Sequence, residues 1–136
     1  MKLSHVPLRV TTGAFILNSG LSKRELDPGS AKGLQAMAAG AIPPLGQLSP
    51  EQFGKLLSYG EMALGAALLA PFVPSALAGL GLTGFAAGLL TLYWKTPGMH
   101  EPGSPRPTQQ GIAIAKDVWL LGAGLTLVLD GLSGDD

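Results

Sequence analysis

Glu61 is the residue with the clearest chemical potential in this sequence, because it is an acid inside a long apolar stretch. The stretch covers residues 53–94 and carries only one other charged side chain, Lys55. A charged acid in hydrocarbon costs about 2.5–3.5 kcal/mol on insertion scales, so such a group is paired, protonated or turned toward a cavity. Glu61 therefore predicts a polar site inside an apolar protein.

The partners that we expect for Glu61 are polar side chains on other helices and one near neighbour in the chain. These candidate binding residues are Arg9, Asn18, Tyr59, Lys116 and Asp117, together with Glu61 itself. Two interpretations stay open. In one, Glu61 and Arg9 form a structural clamp that holds helices in register; in the other, the same residues build a ligand, quinone or proton site.

Other kinds of chemistry find little support in the sequence. It contains no cysteine, which removes disulfides, thiol nucleophiles and thiolate metal sites. Its two histidines, His5 and His100, lie far apart, and we expect both at solvent or lipid headgroups rather than as ligands. No metal site and no nucleophilic catalytic set is predicted, so we expect no catalytic activity of the chain on its own.

The composition is that of a membrane protein. Hydrophobic residues make up 46% and charged residues 13%, about half the usual charged share of a soluble domain. The 20 glycines suit close helix contacts in lipid. The formal net charge is zero, which gives no indication of a nucleic-acid partner. A soluble helical domain is the alternative.

A proline pair divides the apolar stretch into two helices. Pro71 and Pro74 lie three residues apart, and the residue before a proline avoids the helical region. About 20 apolar residues span a bilayer, so residues 50–70 and 74–94 each suffice. Ser49 and Gln52 have the spacing of a capping box at the start of the first of these helices.

Two further helices are predicted at the two ends of the chain, over residues 6–22 and about 109–130. Residues 6–20 also have some features of a cleaved signal peptide, which is a second interpretation. In the first loop, Ser30 can cap a short helix over residues 30–39 that lies at the membrane interface. The predicted fold is thus all-α: one domain over residues 1–136, a four-transmembrane-helix bundle with a short extra interfacial helix.

Two patterns refine this bundle. Gly84 and Gly88 form a GxxxG pair, for which we expect contact inside the bundle rather than between copies. Cations are concentrated in the loops after the first and third predicted helices. The positive-inside rule then places these loops in the cytoplasm and both termini outside.

Several short patterns resemble the DoxX-like integral membrane proteins. The opening residues are similar to the R…F…G…K pattern of that family, and the second helix resembles its E..gG..L pattern. The last helix resembles the family's glycine-rich close before an aspartate. The residues that carry these likenesses are Arg9, Phe15, Gly20, Lys23, Glu61, Gly65, Leu129, Asp130 and Gly131.

The resemblance implies a four-helix bundle in a bacterial plasma membrane. Some family members belong to redox assemblies, such as a thiosulfate–quinone oxidoreductase, so the resemblance implies a quinone as the candidate cofactor. This chain differs in its long first loop and its lack of cysteine. We therefore expect a multi-pass accessory or scaffold subunit whose partners are the bilayer and other membrane proteins or further copies of itself. The alternatives are a quinone-linked oxidoreductase subunit and a small-solute or lipid carrier.

Overall fold

A computed structural model describes residues 1–133, and the regular secondary structure of this part of the chain is helical, with no β-strand. The predicted all-α class is confirmed. Short 3-10 turns cover Leu3–His5 and Pro43–Gln47. The α-helices are α1 (Val6–Ser22), α2 (Pro28–Ala41), α3 (Pro50–Leu69), α4 (Ser75–Lys95), α5 (Ile112–Ala115) and α6 (Val118–Gly131).

Local capping chemistry sets the starts of the helices in the first half. Ser49 Oγ accepts from the amide of Gln52 at 3.1 Å, and the Gln52 side chain accepts from the amide of Ser49 at 3.0 Å. The predicted capping box of α3 is therefore confirmed. Helix α2 starts earlier than predicted because Asp27, rather than Ser30, is its cap: the Asp27 carboxylate accepts from the Ser30 amide at 3.1 Å. The Ser30 hydroxyl also donates to the Asp27 carboxylate at 2.7 Å, and this bond, together with that from the amide, holds the pKa of Asp27 below its usual value.

The last predicted helix, 109–130, is interrupted in the structure. Helix α5 ends at Ala115, and α6 begins at Val118. Between them the amide of Asp117 donates to the carbonyl of Ile114 at 2.9 Å, and the amide of Trp119 to that of Lys116 at 2.9 Å. Both bonds span three residues instead of four, which tightens the turn to 3-10 geometry.

The helices associate as two tight pairs, α1 with α3 and α4 with α6, and each pair comes from one half of the chain. Glycines line both interfaces. A Cβ atom on Gly65 would lie 2.5 Å from the Leu17 amide, and one on Gly124 would lie 2.7 Å from the Thr83 amide. Only a hydrogen at these positions lets the backbones approach so closely.

The two pairs share one apolar core at the end of the bundle where α3 turns into α4. Its members come from α1, α3, α4 and α6: Ile16, Leu68, Ala78, Leu82 and Leu127. The first residues of the chain lie at the same end. The Met1 amine donates to the carbonyl of Pro71 at 3.3 Å, and Lys2 pairs with Asp130 of α6 at 2.9 Å.

Two helical segments of the described chain are long and apolar enough to cross a membrane, Ser75–Lys95 and Ile112–Gly131. The sequence predicts four spans. Helix α1 has only 17 residues, and α3 carries three charged side chains, Glu51, Lys55 and Glu61. The four-span arrangement stays a prediction.

Candidate functional site

A buried ion pair joins the end of α1 to the middle of α3. The Nζ atom of Lys23 lies 3.1 Å from both carboxylate oxygens of Glu61 and 2.5 Å from Ser19 Oγ. The side chain of Glu61 is only 6% exposed and that of Lys23 is 22% exposed. Glu61 is therefore paired inside the protein, and its partner is a residue outside the predicted set.

The packing of α1 on α3 explains this pair. A Cβ atom on Gly20 would lie 2.7 Å from the amide of Met62, so the two helices are in backbone contact there. Ser58 Oγ reinforces the contact by donating to the carbonyl of Gly20 at 2.7 Å. Lys23 lies one turn after Gly20 with its Nζ atom turned back to Ser19, and Glu61 lies between Ser58 and Met62, the two residues that meet Gly20. The close approach therefore places both side chains within reach of each other.

Arg9 lies at the opposite end of α1 and is completely buried. Its five N–H donors all have acceptors: the carbonyls of residues 67, 68, 70 and 73 at 2.9 Å each, and Ser75 Oγ at 3.0 Å. The carbonyls of residues 67 and 68 belong to the last turn of α3, where the intrahelical amides run out, and that of Ala70, which also accepts from the Val73 amide at 3.2 Å, follows directly after it. Arg9 therefore caps the C-terminus of α3 and fixes the turn into α4.

The predicted single cluster around Glu61 is not formed, because its members lie at separate places. Asn18 and Tyr59 are on exposed helix faces, and Tyr59 is 59% exposed. Lys116 lies 3.7 Å from the carboxylate of Asp117 and 5.7 Å from the ring centre of Phe15. Among residues 1–133 only Lys23 donates a hydrogen bond to the Glu61 side chain. Arg9, Asn18 and Lys116 as its partners were wrong predictions.

His5 also differs from its prediction as a solvent or headgroup residue, because it is 4% exposed. Its Nδ1 atom lies 2.8 Å from Ser75 Oγ, and its Nε2 atom lies 2.6 Å from a carboxylate oxygen of Asp130. The reason is that the first turn of the chain folds against α4 and α6. His5 thus belongs to the polar contacts that close this end of the bundle.

An apolar cleft of about 420 Å³ opens between the first half of α3 and the second half of α4, with α2 along one side. Its walls are mainly aliphatic and aromatic, and include Leu34, Met37, Phe53, Leu57, Leu89 and Leu92. Lys23 and Glu61 are the charged residues in its lining. The volume and the apolar walls with one polar end are typical of small-molecule sites.

Gly84 and Gly88 line this cleft instead of a helix interface. A Cβ atom on either glycine would meet no other atom within 4 Å. The prediction that this GxxxG pair marks a contact inside the bundle was therefore wrong for the described residues. The tight contacts are made by other glycines, Gly20 and Gly65 in one pair and Gly79 and Gly124 in the other.

His100 organises the loop between α4 and α5. Its Nδ1 atom lies 2.9 Å from the carbonyls of Glu101 and Ser104, and its Nε2 atom lies 2.9 Å from that of Trp94. The ring also stacks on Trp94 at 4.2 Å between centroids. Because carbonyls face both nitrogens, the doubly protonated ring is favoured, and the bond to Glu101 does most to raise the pKa of His100.

Sequence reasoning found Glu61 but missed Lys23 as its partner. Lys23 appears in the sequence as a charge just after the first helix, where a loop cation is the ordinary interpretation. A usable signal was its position three residues after Gly20, a glycine that brings another helix close. No group of three or more His, Asp and Glu residues in the described range is arranged to hold a metal ion.

Comparison of the chain with protein-family models, with curated proteins and with solved structures finds no match.

Proposed function

We propose that this chain is a small multi-pass protein of a bacterial plasma membrane, similar to the DoxX-like proteins, that serves as an accessory or scaffold subunit of a membrane assembly. In this role the Lys23–Glu61 pair is a structural clamp between the two helices of its first half. The bundle of four long helices spans the bilayer, and α2 lies at the interface.

The observation that carries the proposal is a buried charge pair at a glycine-lined helix interface. Both oxygens of Glu61 contact one ammonium group, and Gly20 lies one turn before that cation. An ion pair in apolar surroundings fixes which residues face each other, since any shift along the helix leaves a buried charge unpaired. Large apolar side chains on the outer surface, including Phe15, Phe72, Leu80 and Trp119, suit contact with lipid or partner subunits.

Replacement of Glu61 by Gln tests the clamp. Glu61→Gln removes the charge that pairs with Lys23, so we expect a lower yield of folded protein and weaker recovery of any partner subunit after gentle detergent extraction. Glu51→Gln is the matched control, because Glu51 lies on the same helix with a side chain that is 79% exposed. Equal yield and partner recovery for both variants would contradict the clamp. Release of the wild-type chain from membranes by carbonate would contradict the membrane assignment.

A second candidate function is the binding of an apolar ligand, as a quinone-linked oxidoreductase subunit or as a lipid or small-solute carrier. The cleft beside Glu61 favours it, because a solidly packed bundle would leave no room for such a ligand. The chain purified in mild detergent should then retain an extractable lipid or quinone. Gly88→Leu should remove it, since this side chain would project into the open space.

A further inference from the structure

The polar end of the cleft has an unequal supply of donors and acceptors. An ammonium group has three N–H donors, and those of Lys23 are directed at Ser19 Oγ and at the two oxygens of Glu61. A carboxylate offers about four acceptor positions. Within the described chain, Lys23 alone donates to Glu61, with one bond to each oxygen. The cleft therefore presents unused acceptors and no unused donor from this pair.

The excess of acceptors over donors determines which head group a ligand in the cleft can have. A hydroxyl group can donate a hydrogen bond to Glu61 without disturbing Lys23. A second carboxylate would meet the negative charge of Glu61, while Lys23, the cation of the cleft lining, is already engaged. An ether or ester oxygen can only accept, and it would find no free donor on Lys23.

The apolar walls and the size of the cleft determine what the remainder of the ligand, beyond its head group, can be. The walls beyond the polar end are aliphatic and aromatic side chains and the bare backbone at Gly84 and Gly88. A cleft of about 420 Å³ lies in the size range of small-molecule sites and has room for one hydrocarbon chain with a small head group.

We propose that the cleft binds an uncharged single-chain amphiphile, whose hydroxyl group donates a hydrogen bond to Glu61 and whose chain lies between α2, α3 and α4. This inference rests on the second candidate function, in which the cleft holds a ligand, and adds the ligand's chemical class. It does not depend on the accessory role. Ser19 and Lys23 then act as positioning residues that hold the Glu61 carboxylate in place.

Three probes that differ only in the head group test the proposal. They are 1-tetradecanol, its methyl ether and tetradecanoic acid, each added to the full chain in mild detergent, with bound probe counted by native mass spectrometry. A hydrogen bond to a charged acceptor is worth about tenfold in affinity or more. We therefore expect the alcohol to bind at least about tenfold more tightly than the ether and the acid.

Two variants that fill the cleft test whether the probes bind there, and a third variant with the same substitution outside the cleft is their control. Gly88→Leu and Gly84→Leu each place a side chain into open space within the cleft, so either should abolish binding of the alcohol while leaving helix packing intact. Gly122→Leu is the control: Gly122 is an equally open, exposed glycine on α6, outside the cleft lining. The second cleft variant keeps the test decisive if the first one misfolds.

The outcomes of these experiments distinguish a failure of this inference from a failure of the second candidate function. Equal binding of all three probes, lost in the cleft variants, would overturn the hydroxyl preference but keep an apolar ligand site. Tightest binding of the acid would overturn it in favour of an anionic ligand. No binding to the wild type above the level of Gly88→Leu would overturn both the inference and the second candidate function.

Discussion

Lys23 and Glu61 meet across the α1–α3 interface, with the ammonium group 3.1 Å from both carboxylate oxygens. The pair lies where two structural features of the protein coincide. On one side is the glycine contact that draws the two helices together, and on the other is the apolar cleft. The same ion pair therefore joins α1 to α3 and forms the polar part of the cleft lining.

A double-mutant cycle measures how much Lys23 and Glu61 each contribute to the stability of the fold and how much they contribute together. Lys23→Met leaves the Glu61 carboxylate buried without its cation, so we expect a loss of about 1–3 kcal/mol in the free energy of unfolding. Glu61→Leu should cost less, because the Lys23 side chain is 22% exposed and can turn to water. The double variant should be more stable than the sum of the two losses predicts. Titration of the folded protein with a denaturing detergent measures each value.

The exposed pair of the same helix is the control for that cycle. Lys55 and Glu51 are 3.3 Å apart, with side chains 61% and 79% exposed. The same cycle on them should give a coupling energy near zero, as for most surface pairs. A coupling at the buried pair no larger than at this surface pair would show that Lys23 and Glu61 do not stabilise the fold together.

Gly65 is predicted to tolerate no side chain. A methyl group there would lie 2.5 Å from the Leu17 amide and 2.8 Å from the carbonyl of Gly13. Gly65→Ala should therefore push α1 away from α3, at about 1–3 kcal/mol of stability or more. Gly60→Ala, on an open face of the same helix, should be neutral or stabilising, because alanine favours a helix. Thermal unfolding of both variants in one detergent gives the comparison.

Arg9 is predicted to be irreplaceable by lysine. Five acceptors surround its guanidinium group, whereas an ammonium group has three donors. Arg9→Lys should remove at least two of these charge-assisted hydrogen bonds, each worth about 1.5–3 kcal/mol. Arg24→Lys is the control, since Arg24 is exposed and its side chain bonds only to the nearby Leu21 carbonyl. A shift in unfolding temperature no larger than that of the control would contradict the capping role of Arg9.

The loop between α4 and α5 should lose order as the pH rises. The pKa of His100 is raised because the carbonyls of Glu101 and Trp94, with that of Ser104, accept from its ring. The protonated form therefore stabilises the loop fully below the unfolded value of about 6.5, and this contribution disappears as the pH rises through the higher folded value. Hydrogen exchange of the Glu101 and Thr108 amides, corrected for the intrinsic rate, should show falling protection over that range.

His100→Gln is the variant that tests the cause of this change. The amide side chain keeps a donor but does not titrate, so protection of the same two amides should become independent of pH. A pH dependence that survives in the variant would assign the effect to another group. A ring titration by NMR with a midpoint below about 6.5 in the wild type would contradict the geometry around His100.

Local chemistry made much of the fold predictable. The capping box at Ser49 and the proline pair at residues 71 and 74 determine where helices start and stop, and both depend only on neighbours in the chain. The site was harder to predict. Which residue pairs with Glu61 depends on how α1 and α3 slide along each other, and this is set by contacts such as Gly65 against Leu17 that no local pattern records.

The same limit explains the errors on His5 and on the Gly84–Gly88 pair. A histidine near the start of a chain has no local reason to be buried, and only the return of α6 to that end brings Asp130 to it. A GxxxG pair indicates a smooth helix face but not what lies opposite. Here the opposite side is an open cleft, since α3 contacts this part of α4 only loosely.

The division of the helices into one pair from each half of the chain has a consequence for synthesis. The seam between α1 and α3 can form once residue 69 has left the ribosome, before α4 has emerged. We therefore expect the pair of α1 and α3 to insert and pack as a unit before the pair of α4 and α6 is complete. The cleft takes its walls from both pairs. It is consequently the last part of the molecule to be built, and a nascent chain that has emerged from the ribosome only as far as residue 72 should already hold the Lys23–Glu61 contact but not a ligand.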